Sequence, residues 1–303
     1  MSSAGRIAWV VKIFEGSRMC PVKNSSTPLK LMAVHAHPDD EATSTGGVLA
    51  RYALAGVQTI VVTCTNGELG DAPGGIKPGA DGHDPRTVAS IRLAELRTAC
   101  AHLGVSTLEL LGYHDSGMAD WDHRHRPDVF CTVPVETAAA RITGLIERHR
   151  PQVVVSYDVD GTYQHPDHLH AARATARAVE LAGIPVKLYS KAHGTTYWRR
   201  LREALTQVGV ELRGPEPGAL ESVERRITTS IDVSAVIERK RDALHAHESQ
   251  LNSSLAAKLP LDLFSYAFGT ETYVLTGGVA NSALPEVDLF AGVRGGHDDG
   301  PTA

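Results

Sequence analysis

Four short, mostly apolar runs constrain the fold of this chain more than any other feature of its 303 residues. They lack the strict alternation of polar and apolar residues that marks a half-exposed strand, so they suit strands covered on both faces, as in a parallel sheet. These runs are Leu31–Ala36, Thr59–Thr65, Leu108–Leu111 and Val153–Tyr157.

Segments with helical periodicity separate and follow the four runs, and several of them end at a glycine, which favours a helix C-terminus. Strand–helix–strand alternation predicts an α/β fold. We expect a Rossmann-like, doubly wound, mostly parallel sheet with catalytic loops at the C-terminal ends of its strands. The predicted helices are Ser44–Ala55, Arg86–Leu103, Val135–Arg148, His168–Ala182 and, further on, Ser234–Leu251 before a strand at Glu271–Leu275.

The chain divides into three parts by composition. Residues 1–28 form a leader that ends in a loop-like Asn-Ser-Ser-Thr-Pro run. Residues 29–280 carry the alternating pattern and form one folded domain. Residues 281–303 are rich in Gly, Asp and Pro, a composition that buries little apolar surface, and we expect a mobile tail there.

Charge and cysteine content exclude several classes of protein. A formal net charge of −5 gives no support for nucleic-acid binding, which usually shows a basic surplus. The apolar stretch Ile7–Phe14 is far shorter than the ~20 residues of a membrane span, so no stable membrane insertion is expected. It includes Lys12 and precedes no cleavage pattern, so no signal peptide is expected either. None of the 4 cysteines forms a CxxC pair, which indicates a reducing, cytoplasmic compartment.

Polar clusters follow each of the four predicted strands. Because the carboxyl ends of parallel strands meet at one edge of a sheet, we expect these clusters to gather there although they lie far apart in sequence. The clusters are His37–Glu41, Asn66–Glu68, His114–Gly117 and Asp158–His168.

Two of these clusters repeat a His-Pro-Asp-x pattern, at His37–Asp40 and at His165–His168. Taken singly, the first suits a capped helix N-terminus, and the second suits a pair of surface histidines. Two copies at strand exits favour a shared metal site, to which they supply His, His and Asp and leave a position open for water. A carboxylate that is not a ligand can then act as the base. Imidazole and carboxylate ligands suit zinc and also iron.

Other classes of function find less support. A nucleotide-binding domain would need a G-x-G-x-x-G loop or a Walker lysine after its first strand, and neither is present. A non-catalytic metal or sugar binder would not need a spare carboxylate and a spare histidine beside its ligands. The cluster Trp121–Arg126 is too irregular for a second metal site, so it forms either a gate loop or an exposed segment.

The segments Ala36-His37-Pro38-Asp39-Asp40-Glu41 and His165-Pro166-Asp167-His168 resemble the paired signatures of the PIG-L/LmbE-like zinc-dependent deacetylases. This family includes the mycothiol-pathway deacetylase and conjugate amidase, and other N-acetylglucosaminyl conjugate deacetylases. The resemblance runs from Leu31 to Ala192, and beyond that only the segment with Lys240 and Ala246–Gln250 is similar. It implies that the domain at 29–280 is a catalytic domain of this family.

The resemblance implies a role for each matching position. His37, Asp40 and His168 match the zinc ligands, and Asp39 matches the general base.

His165 matches the residue that stabilises the oxyanion or protonates the leaving amine, and Tyr163 matches a tyrosine that contacts the tetrahedral intermediate. Glu68, Arg92 and Asp115 fall where members of the family contact the sugar. From the sequence alone, these last three also suit a turn residue, a solvated helix charge and a helix cap.

The implied function is metal-dependent hydrolysis of the N-acetyl group of an N-acetylglucosamine conjugate, a small molecule. The alternative is an amidase that removes a larger acyl group from a thiol or antibiotic conjugate. The Gly-rich loop Leu69–Asp84 departs from the family pattern, so it leaves the identity of the conjugate open. The sequence also leaves open whether the chain forms a homo-oligomer.

Overall fold

The computed structural model describes residues 28–278 and 283–293. The predicted leader, except Pro28, and residues 281–282 and 294–303 of the predicted tail lie outside the described residues. The described part contains seven strands. They are β1 (Lys30–His35), β2 (Gln58–Thr65), β3 (Thr107–Tyr113), β4 (Val153–Tyr157), β5 (Lys187–Lys191), β6 (Thr229–Asp232) and β7 (Thr270–Gly277).

All seven strands form one sheet in the order β3-β2-β1-β4-β5-β7-β6. Strands β1 to β5 are parallel to their neighbours, whereas β7 runs antiparallel to both β5 and β6. From β1, strands β2 and β3 are added on one side; from β4, strand β5 is added on the other side. This arrangement is the signature of a doubly wound sheet. The fold class predicted from the sequence is confirmed.

Helices cover both faces of this sheet. One face carries α3 and α4, and the other carries α1, α2, α5, α7 and α8. The helices are α1 (Asp40–Leu54), α2 (Pro85–Leu103), α3 (Val135–His149), α4 (Pro166–Ala182), α5 (Thr195–Gln207), α6 (Pro217–Arg226), α7 (Ile237–His245) and α8 (Leu261–Phe268).

The apolar run of β1 shows why the sheet lies in the middle of the molecule. Leu31 and Ala33 pack into the core on the α1 side, and Met32 and Val34 pack into the core on the α3 side. All four are fully buried. Because successive side chains of a strand point to opposite faces, a strand without polar alternation needs cover on both.

The chain reverses its direction of winding between β1 and β4. In open α/β sheets the crevice at such a reversal, outside the carboxyl ends of the strands, is the usual ligand site. The motif at His37 leaves β1 there, and the motif at His165 follows β4.

Two predicted helices differ from the structure by four residues or more at one end. Helix α1 begins at Asp40, four residues before the predicted start at Ser44. The predicted long helix Ser234–Leu251 is interrupted: α7 ends at His245, and short 3-10 turns flank it. The interruption coincides with His247, whose ring bonds to the buried Glu41; this long-range contact overrides helical periodicity.

Part of the segment predicted as a mobile tail packs against the domain. Leu289 and Phe290 are fully buried, and Glu286 forms an ion pair with Lys187 of β5 at 2.9 Å. Composition underestimates how much of this segment is buried. A few apolar residues and one carboxylate are enough to anchor a short stretch that is otherwise polar.

Among the described residues, no helix combines the length and the apolar character that crossing a bilayer requires. Cys64, Cys100 and Cys131 are free thiols.

Candidate active site

A cavity of about 840 Å³ opens where the polar clusters leave the strands. It is lined by most of the sequence-predicted site residues, and the loops at 69–78 and 117–121 contribute to its wall. The predicted residues along it are His37, Asp39, Asp40, Arg92, Asp115, Tyr163, His165 and His168.

Asp40, the first residue of α1, lies between two imidazoles. Its Oδ2 accepts hydrogen bonds from the backbone N–H of His37 and the Tyr157 hydroxyl, both at 2.8 Å. Its Oδ1 lies 3.3 Å from Nε2 of His168, and its Oδ2 lies 3.4 Å from Nδ1 of His37. Burial opposes ionisation of Asp40, yet His168 and His37 hold the pKa of this carboxyl well below its usual value.

The second ring nitrogen of His37 faces two further carboxylates. Nε2 lies 3.1 Å from Oδ2 of Asp167 and 3.6 Å from Oδ1 of Asp115. Although burial disfavours a charged imidazole, Asp115, Asp167 and Asp40 raise the pKa of His37 well above its ordinary value. A metal-ligating histidine typically donates its other ring N–H to a carboxylate, and Asp167 is placed to accept it.

The donor set fits a divalent ion. Two ligand atoms about 2.0–2.1 Å from a tetrahedral ion lie roughly 3.3 Å apart, which matches the Asp40–His168 spacing of 3.3 Å. Ligand atoms of His37, His165 and His168 also lie within 4.8 Å of one another, as do those of His37, Asp115 and Asp167. The described residues therefore present a candidate metal site of histidines and aspartates, and His165 is as near to it as the predicted ligands.

Asp39 combines an unusual backbone with a raised pKa. Its φ of 115° lies in the region that side chains other than glycine rarely adopt. Its N–H donates to Oε2 of Glu41 at 3.0 Å, and its carboxylate accepts from Arg92 at 3.0 Å. Burial raises the pKa of Asp39, and Arg92 opposes that rise.

Arg92, predicted to contact substrate, is 4% exposed and binds the protein itself. Besides Asp39, its guanidinium donates to the carbonyl oxygens of Pro38 and Gly67. A Cβ at Gly67 would lie 2.5 Å from the Arg92 guanidinium, and Gly67 has a φ of +66°, so glycine suits this turn on both counts. Arg92 thus joins the loop after β1 to the loop after β2.

His165 and Tyr163 follow β4 and lie beside the ring of His168. Nδ1 of His165 accepts the backbone N–H of Asp167 at 3.2 Å, which leaves Nε2 to face the cavity. Burial, followed by the neighbouring His37 and His168, lowers the pKa of His165 to about 4. The Tyr163 ring is 54% exposed and packs edge-on against His168 at 5.0 Å between ring centres.

The remaining predicted substrate residues, Glu68 and Asp115, both line an adjoining cavity of about 320 Å³. Asp115 also lines the main cavity, and its Oδ1 accepts the N–H of Gly117 at 2.8 Å. Glu68 lines only the adjoining cavity and bonds to Nδ1 of His114 at 2.6 Å.

Several residues that support the site were not identified from the sequence. Asp167 is fully buried and also accepts from the backbone N–H of Ser116 at 2.9 Å; its place inside the second motif was a usable signal. Glu41 and His247 form a buried pair at 2.6 Å behind Asp39. For His247 the available signal was the resemblance around Ala246–Gln250, whereas nothing in the sequence marks Tyr157.

Comparison with known proteins agrees with this geometry. The family model for PIG-L, described as GlcNAc-PI de-N-acetylase, matches residues 32–179. A 1D-myo-inositol 2-acetamido-2-deoxy-alpha-D-glucopyranoside deacetylase of Acidothermus cellulolyticus is 39% identical over 278 residues, which cover 87% of this chain and 94% of that relative. The relative of the same name from Mycobacteroides abscessus is 38% identical, with 88% and 99% covered.

The chain belongs to the PIG-L family. It is a hydrolytic deacetylase that acts on an amide, as its sequence motifs predict. The family is metal-dependent, and the histidine and aspartate cluster of this PIG-L member is the corresponding candidate site.

Solved structures share the fold of this PIG-L member at lower identity. The conserved protein TT1542 from Thermus thermophilus aligns with a TM-score of 0.52 at 22% identity, covering 83% of this chain and 96% of that one. A deacetylase in the biosynthesis pathway of teicoplanin aligns with a TM-score of 0.54 at 21% identity, covering 82% and 100%. A 4-carboxy-2-hydroxymuconate hydratase from Pseudomonas putida aligns equally well, with a TM-score of 0.54 at 18% identity, covering 84% and 99%. The fold alone therefore does not define the reaction.

Proposed function

We propose that this enzyme removes the acetyl group from N-acetylglucosamine linked to inositol, in the manner named for its relatives. The similarity to those relatives extends over 87–94% of each chain in the first comparison, so it includes the cavity walls as well as the motifs. The observation that carries the proposal is the carboxylate of Asp39, which lies beside the candidate metal ligands and is oriented by Arg92 at 3.0 Å.

The proposed ligands are His37, Asp40 and His168, and the ion is zinc or iron. When bound, such an ion supplies Lewis-acid polarisation of the amide carbonyl. The chain provides the orientation: Tyr157 and the His37 backbone fix Asp40, and Asp167 fixes the His37 ring.

Asp39 is the proposed general base. Its raised pKa favours proton abstraction from water, because a base works best when its pKa approaches the working pH. The Arg92 guanidinium fixes the carboxylate on one side, so that the other oxygen is available to the attacking water.

His165 is the proposed oxyanion donor. A neutral imidazole that accepts a hydrogen bond at Nδ1 carries its proton at Nε2, and a pKa of about 4 keeps this ring neutral near pH 7. This protonation state favours hydrogen bonding to the developing oxyanion over protonation of the leaving amine. The Tyr163 hydroxyl, on the same wall, is the second proposed donor.

The loops at Leu69–Asp84 and Met118–Asp128 are the proposed sites of inositol recognition. Leu69, Lys77, Met118 and Trp121 of these loops line the cavity. Loops on a rigid α/β scaffold usually carry specificity. Asp115 is the proposed contact to the sugar, and Glu68 reaches substrate only through the adjoining cavity. Arg92, whose guanidinium binds Asp39 and two carbonyl oxygens, acts on the substrate through Asp39.

The free thiols Cys64, Cys100 and Cys131 support a cytoplasmic location.

A panel of amides tests this proposal. We expect the zinc- or iron-loaded enzyme to release acetate from N-acetylglucosaminyl-inositol with a kcat/KM at least tenfold above that for free N-acetylglucosamine. Acetate is measured by a coupled assay and the new amine by derivatisation. Equal kcat/KM for the two acetylated sugars would contradict recognition of inositol. Amine release from a thiol conjugate with a larger acyl group, without acetate release from any sugar, would establish the amidase alternative instead.

A further inference from the structure

Part of the wall of the main cavity is built from β5, the turn that follows it, α5 and α8. We define the inner arm as the part lined by Lys191, His193, Tyr197, Trp198, Phe264 and Phe268. Lys191 ends β5 and pairs in register with Tyr157 at the end of β4, whose hydroxyl bonds to Asp40 at 2.8 Å. Neighbouring strands lie about 4.8 Å apart, so one small ligand can span the candidate metal site and the inner arm.

The ammonium of Lys191 lacks a carboxylate partner of its own. The residue is 7% exposed, and Nζ donates one long hydrogen bond, of 3.5 Å, to the carbonyl oxygen of Thr272. Nζ also lies 4.9 Å from the ring centre of Tyr273. Within residues 28–278 and 283–293 it makes no other hydrogen bond or ion pair, although an ammonium offers three donors.

The carboxylate of Glu271, which acts electrostatically on Lys191, is already engaged. Glu271 accepts from Lys240 at 2.6 Å and from the Tyr273 hydroxyl at 2.7 Å. Its two oxygens also accept the backbone N–H groups of Gly47 and Val48 at 2.8 and 3.1 Å. Two buried lysines therefore share one carboxylate, and the inner arm has a surplus of positive charge.

A buried, unpaired ammonium is unfavourable unless something compensates it. An apolar residue would fill the same position without that cost, since aromatic side chains surround the arm. Because Lys191 lines the open cavity, an anion that enters with a ligand would supply the missing partner and stabilise the charged form of the amine.

We propose that the inner arm binds an anionic oxygen group, a phosphate or a carboxylate, on a ligand with an aromatic or apolar body, and that Lys191 donates to that group. The rings of Tyr197, Trp198, Phe264 and Phe268 enclose the body, and His193, stacked on Tyr197 at 4.0 Å, lies beside the anion. This inference goes beyond the proposed function, because hydrolysis of an N-acetylglucosaminyl-inositol amide requires no anionic group.

Calorimetric titration of the metal-loaded enzyme with phenyl phosphate, benzoate and inorganic phosphate tests the inference. We expect phenyl phosphate or benzoate to bind more tightly than inorganic phosphate, because only the first two carry an aromatic body; the tighter of the two identifies the anion. Lys191→Met should weaken this binding at least tenfold, and Lys191→Arg should retain most of it. Lys30→Met is the matched control: Lys30 begins β1, does not line the cavity and donates to the carbonyl oxygen of His149, so its replacement should leave binding unchanged.

The pH dependence provides a second measurement. Burial lowers the pKa of Lys191 to about 7, with Glu271 opposing and Lys240 adding to that shift. The charged amine predominates below this pKa, so binding should be strong at pH 6 and weaken as the pH rises through 7. Burial, with Lys191 and Lys240 nearby, lowers the pKa of His193 well below its usual range, so His193 stays neutral over this interval.

Anions also bind metal ions, so metal-depleted enzyme is titrated in parallel. Retained binding there, with loss in Lys191→Met, supports the inner arm. Binding that disappears on metal removal but survives in Lys191→Met would place the anion on the metal and overturn the inference, as would absence of binding by all three probes. Thermal unfolding shows whether Lys191→Met is folded. Because the variant removes an unpaired buried charge, its Tm should be unchanged or higher.

Discussion

The backbone of Asp39 shows how the site is held in a strained conformation. A residue other than glycine in the left-handed region costs on the order of 1–3 kcal/mol unless its surroundings impose it. Here the Glu41 carboxylate binds the Asp39 N–H, and Arg92 binds both the Asp39 side chain and the preceding carbonyl. These contacts aim the carboxylate into the cavity.

The proposed base can be tested without disturbing this backbone. Asparagine is tolerated in the left-handed region nearly as well as aspartate, so Asp39→Asn should keep the loop in place. We expect the variant to retain its metal and to lose about 10²–10⁴-fold in turnover, the typical contribution of a general base. Metal content is measured by elemental analysis on the same preparation that is assayed for acetate release.

His168→Ala is the matched comparison and should lose its metal. His165→Ala should keep its metal while turnover falls, which separates the proposed ligands from the third histidine within 4.8 Å. Metal lost from Asp39→Asn but retained by Asp40→Asn would show that the two carboxylates have exchanged roles.

At the scale of residues, the sequence predicted those site residues that lie close to one another along the chain. His37, Asp39 and Asp40 occupy one turn of backbone, so their proximity follows from spacing alone. The bond between Tyr157 and Asp40 joins residues separated by 117 positions, and the Glu41–His247 pair joins residues 206 positions apart. Such contacts depend on how helices and strands pack, which spacing does not define.

Helix α1 packs closely against its neighbours at Gly47. A Cβ added at Gly47 would lie 2.5 Å from Cγ2 of Val233 and 2.7 Å from Oε1 of Glu271. The glycine thus allows the Glu271 carboxylate to reach the backbone N–H groups of α1.

Two glycine-to-alanine changes should therefore have opposite effects on stability. Gly47→Ala should lower the free energy of unfolding by about 1–3 kcal/mol, because overpacking exceeds the gain in helix propensity. Gly144→Ala in α3 should raise it by about 0.5–1 kcal/mol, since Gly144 is exposed and nothing lies within 4 Å of the added Cβ. Urea denaturation measures both, and a stabilised Gly47→Ala would show that α1 shifts without cost.

The sequence predicted elements whose pattern is local and missed those decided by long-range contacts. Strand β4 has the predicted bounds, and α2 and α3 differ from prediction by one residue. Helix α7 is shorter than its periodicity suggests because His247 turns inward to Glu41. Strands β5 and β6 were not predicted: β5 has a lysine at each end and β6 has only four residues, so neither shows a clear apolar pattern.

At the scale of the whole molecule, residues 283–293 return to the domain and bind to β5 of the sheet and to α1. Lys187 donates to both oxygens of Glu286 at 2.9 and 3.1 Å, and the Tyr189 hydroxyl donates to the same carboxylate at 2.5 Å. The Tyr52 hydroxyl of α1 donates to Asp288 at 2.8 Å. This segment therefore joins β5 to α1.

Loss of the Glu286 charge should destabilise the whole domain. Lys187 and Glu286 are 5% and 1% exposed, and removal of one partner of a buried pair costs about 3–5 kcal/mol. We expect Glu286→Gln to lower the free energy of unfolding by about 3 kcal/mol, measured by urea denaturation. Glu180→Gln, which breaks an exposed pair with Arg177, is the control and should have no measurable effect. Equal stability of the two variants would contradict a structural role for this segment.

Composition predicted the folded domain but not the packing of residues 283–293 against it. A segment rich in Gly, Asp and Pro gives no periodicity from which its anchors Leu289 and Phe290 can be recognised. Their burial depends on a groove that exists only once β5 and α1 have formed.

The position of β7 has a consequence for synthesis on the ribosome. The proposed metal ligands all precede residue 170, and the strands that hold them emerge first, whereas β7, which lies between β5 and β6, emerges last. At roughly 5–20 residues per second, the interval between Lys191 and Thr270 is on the order of 10 s. During that interval the outer edge of β5 has no neighbour, and an open strand edge readily pairs with another chain. Nascent copies of this enzyme are therefore most prone to associate with one another after their active-site motifs have emerged and before β7 pairs with β5.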